Sequence, residues 1–120
     1  MRRFLYLVAA CLALVGAASS CDVDTDLSVD ARADLLYANG DVIHIDPVRY
    51  EGFHHNTFSD NDLEYIFTDL TRHVSPDFQT AQLTLDVYDA ISGEFLRTEA
   101  YGVVYDTRGH LNFADLSRPY

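Results

Sequence analysis

The chain has 120 residues, 19 of them acidic against 8 basic, and every basic residue is an arginine. Residues 1–20 read as a leader; without them 100 residues remain, one small domain carrying 6 basic and 19 acidic side chains, a net charge of −13. That charge repels phosphate backbones and anionic lipid surfaces, so nucleic-acid binding is not expected. The frequent aromatic and β-branched residues argue against a disordered chain. The absence of lysine and the excess of aspartate over glutamate, 15 to 4, suit an arginine-favouring genome or a high-salt habitat, and neither bears on chemistry.

The first element in chain order is the leader. Arg2 and Arg3 precede an apolar run from Phe4 to Ala18, then Ser19-Ser20-Cys21. A positive start, a short apolar core and a small-residue exit make a secretory signal. The run is short for a bilayer-spanning helix, which needs about 20 apolar residues. Cys11 lies inside the leader, so Cys21 is the one cysteine of the mature chain and has no internal partner. A cysteine zinc site is thereby excluded. The exit Ala18-Ser19-Ser20-Cys21 resembles the lipobox of bacterial lipoproteins, with alanine at Ala18 where leucine is commoner. The resemblance covers only the leader and Cys21, and it implies lipid attachment at Cys21. Ordinary signal-peptidase cleavage near Ala17 or Ala18 is the other reading.

Asp22-Val23-Asp24-Thr25-Asp26 form an acidic tether over residues 21–26. An aspartate directly after the lipid cysteine resembles an inner-membrane retention signal, and an acidic run there resembles a surface-export signal. The implied location is therefore the outer face of an inner membrane or the cell surface. Asp22, Asp24 and Asp26 also have the spacing that opens a calcium loop. Leu27 stands where the loop needs glycine and Ala33 where it needs glutamate, which excludes an EF-hand.

Residues 27–120 read as a single α+β domain. Leu27, Val29, Ala31, Ala33, Leu35 and Tyr37 alternate with polar residues, a strand with one wet face. Asn39-Gly40 marks a hairpin, and Val42 to Ile45 form the return strand, which Pro47 ends or confines to an edge. Tyr50 to Phe58 reads as an irregular aromatic segment. Leu63, Ile66, Phe67, Leu70 and Val74 then recur at helical spacing. Ser59 and Asp62 form a capping box, Arg72 and His73 suit the far end, and Pro76 prevents continuation. Thr80 to Tyr88 alternates again, and Phe95 to Tyr105 is apolar on both faces near its end and is expected at the centre. Asp106 to Gly109 is a turn, and His110 to Phe113 a last short strand. The order β-β-α-β-β-β predicts a small antiparallel sheet with one amphipathic helix on one face. A β-sandwich with a helical crossover is the alternative.

Candidate chemistry is sparse. His54, His55, Asp60, Asp62 and Glu64 are the densest cluster of ligand types, but adjacent residues in an extended segment point apart, and the acids suit a helix start. No G-x-S-x-G elbow occurs, and Ser92 near Asp89 reads as a turn. His44 and His110 read as strand-surface residues. Tyr50, Phe53 and Phe58 either fold back as a lid on the core or anchor a partner protein. The expectation is a membrane-anchored envelope lipoprotein that binds another envelope protein as an adaptor or accessory module, with no catalysis, no metal and no cofactor. The alternatives are a small hydrolase or metal-dependent enzyme around His54, His55 and Asp60, and an inhibitor or immunity lipoprotein with an acidic binding face.

Overall fold

The structure is a computed structural model and describes residues 26–117. Cys21 and the leader lie outside the described residues. The elements run β1 (Leu27–Leu36), β2 (Val42–Phe53), α1 (Asp60–Leu70), β3 (Thr80–Asp89), β4 (Phe95–Tyr105) and β5 (Leu111–Asp115). The strands form one antiparallel sheet in the order β2-β1-β3-β4-β5, so the sandwich alternative is set aside. β2 and β3 flank β1 and run the same way, so the chain must cross the sheet to join them. Helix α1 makes that crossing over one face.

The alternating apolar residues of β1 and β3 meet across the sheet: Val29 opposite Val87, Ala31 opposite Leu85, Ala33 opposite Leu83. All six are buried to 1 % exposure or less. Onto this floor α1 lays Leu63, Ile66, Phe67 and Leu70, the buried members of the helical stripe. Phe67 meets Phe78 and Phe113 edge to face, with centroids 5.6 and 6.2 Å apart.

The capping box forms as the sequence predicts. Ser59 Oγ accepts from the Asp62 amide at 3.2 Å, and the Asp62 carboxylate accepts from the Ser59 amide at 2.9 Å. The helix is shorter at its other end than the apolar spacing implies. It stops at Leu70, where the Thr71 hydroxyl and amide both donate to the Phe67 carbonyl, at 2.7 and 3.0 Å. Val74 packs against the core from the following turn.

Three further expectations are corrected. First, β2 does not end near Ile45 but runs on to Phe53, so Tyr50 lies in a strand and not in a loop. Its pairing with β1 slips twice, between Ala31 and Ala33 and between Leu27 and Val29. These bulges take up Asp46-Pro47 and Glu51-Gly52, with Gly52 at a φ of +95°. A proline and a glycine that resemble strand terminators are thus carried within an edge strand, where a missing N–H costs no ladder bond. Second, the central strand is β3, while β4 lies between β3 and β5. The apolar residues on the second face of β4 are partly covered by Leu116, whose side chain lies 3.8 Å from the position a Gly102 Cβ would take. Third, β5 begins one residue later and ends two residues later, at Leu111–Asp115.

Candidate functional site

The aromatic candidates are placed as follows. Tyr50 is 8 % exposed, and its hydroxyl donates to Asp69 Oδ2 at 2.6 Å. Asp69 sits in the last turn of α1, where the helix dipole disfavours an anion. Arg72 offsets this by donating to Asp69 Oδ1 at 2.9 Å and to its carbonyl at 3.0 Å. The chain Tyr50–Asp69–Arg72 ties β2 to the end of α1. Burial, and then the bond to Asp69, raise the Tyr50 phenol above its ordinary pKa. Phe53 and Phe58 are half-buried against the core and meet edge to face at 5.3 Å. The three side chains therefore close the β2 side of the core, as a lid would. Phe53 and Phe58 keep part of their surface in solvent.

His54 Nδ1 lies 2.8 Å from Asp26 Oδ1, so it joins the segment after β2 to the start of β1. Asp62 is engaged in the helix cap. Among the described residues no group of three or more His, Cys, Asp or Glu side chains stands where it could hold one metal ion. Ser92 Oγ accepts from the Glu94 amide inside the β3–β4 turn. His44 pairs with Asp34 across β1 and β2. His110 donates its amide to Asp106 in the last hairpin. Tyr101 is buried, whereas Tyr105 is 41 % exposed and stacks on Phe78 at 5.0 Å.

A polar cluster escapes the sequence reading. Arg97, Glu99 and Tyr101 lie on the helix-covered face of β4, opposite Val87, Leu85 and Leu83. Arg97 Nε donates to Glu99 Oε2 at 2.6 Å, and the Tyr101 hydroxyl donates to Glu99 Oε1. Arg97 Nη2 also donates to the Asn56 carbonyl at 2.5 Å, which fastens the loop before α1. The i, i+2, i+4 spacing in Arg97-Thr98-Glu99-Ala100-Tyr101 was the available signal, since period two puts these side chains on one face.

Among the described residues no helix lies over the other face of the sheet. Arg49 makes a two-point contact with Asp30, at 2.5 and 3.2 Å, and its guanidinium lies 4.9 Å over the Tyr88 ring. The Arg49 bond holds the Asp30 carboxyl below the usual aspartate value. Arg32 bonds Asp86 at 3.2 Å, and Thr98 donates to the same carboxylate at 2.8 Å. Asp30, Arg32, Arg49 and Asp86, with the His44–Asp34 pair beside them, thus form a ladder of polar pairs across β2, β1 and β3. Such a face can present a patterned polar surface to a partner. Comparison with protein-family models, with curated proteins and with solved structures gives no match to this chain.

Proposed function

We propose that this chain is an exported lipoprotein, anchored through Cys21, whose single α+β domain binds another envelope protein as an accessory or adaptor module. The observation that carries the reading is the leader ending in Ala18-Ser19-Ser20-Cys21, with Cys21 the only cysteine after it. Acylation gives a use to a thiol that has no internal partner, and two or three acyl chains hold a protein on a membrane where one holds it weakly. The first strand begins at Leu27, so the domain would stand close to that membrane.

The fold is consistent with work by binding. One face of the sheet is given to the core, and the other is covered by no helix among the described residues and is patterned with paired polar groups. Tyr50 is taken up by its contact with α1. The exposed edges of Phe53 and Phe58 and the open sheet face are therefore the surfaces on which a partner would be read.

The test is the intact mass of the protein from the detergent phase of a membrane extract, followed by crosslinking in the membrane. A mass equal to residues 21–120 plus glycerol and acyl chains, with one protein captured reproducibly, supports the reading. An unmodified peptide in the soluble fraction, beginning before Cys21, overturns the anchor.

A further inference from the structure

The three β-hairpin turns differ in what they present. The β1–β2 turn carries Asn39-Gly40 and the β4–β5 turn carries Thr107-Arg108-Gly109, all polar or small. The β3–β4 turn carries Ile91, which is 84 % exposed. Isolated exposed aliphatic residues are common, so exposure alone means little. Two further observations bear on it, of which only the second, position, separates it from the β4–β5 turn, whose amides also donate internally.

The first is the satisfaction of the backbone around it. Five successive amides donate inside the protein. Ala90 donates to the Asp26 carbonyl at 2.9 Å, Ile91 and Ser92 to Asp89 Oδ1 at 2.8 and 3.0 Å, Gly93 to the Asp89 carbonyl at 2.8 Å, and Glu94 to Ser92 Oγ at 3.2 Å. A turn with its donors accounted for loses little when water is removed from it.

The second is position. The Ala90–Asp26 bond and the pairing of Leu27 with Asp89 place this turn at the end of the sheet where the chain enters β1. Asp26 lies five residue steps beyond Cys21, a full extension of about 17 Å. The other two hairpin turns lie at the opposite end of the strands.

We infer that the β3–β4 turn is a lipid-contacting tip, with Ile91 entering the headgroup boundary of the bilayer that holds Cys21. The inference rests on the anchoring proposed above. Charge selects the kind of surface. Asp26, Asp89 and Glu94 flank the tip and residues 89–94 carry no arginine or lysine, so the surface it suits is zwitterionic and not anionic. Contact there would fix the orientation of the domain, with the strands rising from the membrane and the Asn39-Gly40 turn held farthest from it.

The chain contains no tryptophan, which makes a direct test available. Ile91→Trp and, at the far end, Asn39→Trp each introduce a single tryptophan at a surface turn, excited apart from the tyrosines. Each lipidated full chain is placed on phosphatidylcholine vesicles with and without brominated acyl chains. The expected result is that both variants float with the vesicles, that bromine lowers Ile91→Trp emission by about twofold, and that Asn39→Trp emission is unchanged. Flotation of both with no quenching of Ile91→Trp, or with equal quenching of the two, overturns the tip while leaving the anchor in place. Failure to float overturns the anchor and the tip together.

Discussion

The two faces of the sheet are built from the same strands but held by different physics. On the face under α1, β1 and β3 meet through aliphatic side chains that are closed to water. On the open face they meet through charge pairs such as Arg49–Asp30 and Arg32–Asp86, which remain partly solvated. Burial of a large apolar side chain contributes about 2 kcal/mol, whereas exposed ion pairs contribute about 0–1 kcal/mol. The covered face therefore sets the stability of the domain, and the open face can change with little effect on folding. That freedom suits a surface used for recognition.

Adjacent residues of β3 give the sharpest test of this difference. Leu83 is fully buried under α1, while its neighbour Gln82 is exposed on the opposite face. Leu83→Ala is expected to cost about 3 kcal/mol in urea denaturation, and Gln82→Ala no more than about 0.5 kcal/mol. Similar costs for the two would mean that the open face is not independent of the core.

Tyr50 provides the next largest effect. Removing its ring by Tyr50→Ala is expected to cost about 3 kcal/mol, and removing only the hydroxyl by Tyr50→Phe about 1 kcal/mol. Phe53→Ala and Phe58→Ala should each cost less, because both rings are already partly in water. A fall in stability for Phe58→Ala as large as that for Tyr50→Ala would assign Phe58 wholly to the core and remove it as a partner contact. At the other end of the same crossing, Ser59→Ala breaks the capping box and is expected to cost about 1 kcal/mol.

What the sequence made legible follows from how local each signal was. The Ser59–Asp62 cap, the stripe from Leu63 to Leu70 and the alternation of β1 all depend on neighbours within one or two turns of chain. The course of β2 does not. Ile45, Val48, Tyr50 and Phe53 pair with Ala33, Ala31, Val29 and Leu27, yet their spacings are three, two and three. The two bulges break the period of two, so the segment reads as irregular although it lies in the sheet. The centrality of β3 was hidden for a different reason. Its outward residues Gln82, Thr84 and Asp86 look like an exposed edge, but they are engaged in side-chain bonds: Gln82 to Thr84, and Arg32 and Thr98 to Asp86. The candidate binding surface was missed with it, since its charge pairs join three strands whose order no local pattern reports.

The pH response separates the two faces. On the open face, Arg49 depresses the Asp30 carboxyl. In the hairpin turns, backbone amides depress those of Asp89 and Asp106. A carboxyl whose folded pKa lies below its unfolded value adds stability above 3.8, and that stability fades as pH falls below 3.8. On the covered face the raised Tyr50 phenol acts at the other extreme: its contribution is complete below about pH 10 and is lost as pH rises further. Urea midpoints measured across pH should thus fall at both ends. Tyr50→Phe should flatten only the alkaline fall, and Asp89→Asn with Asp106→Asn only the acid one.

The smallest expected effect concerns Arg32. Its bond to Asp86 joins β1 to β3 on the open face, with both side chains partly in solvent. Arg32→Met keeps the stem and removes the charge, and it is expected to change stability by no more than about 1 kcal/mol, with most of that gone in 1 M salt. The same substitution places an apolar group in the middle of the charge ladder. If the open face is where an envelope partner is read, Arg32→Met should weaken crosslinking to that partner while the urea midpoint barely moves. A large loss of stability instead would make the ladder part of the structural frame, and the search for the partner contact would move to the exposed edges of Phe53 and Phe58.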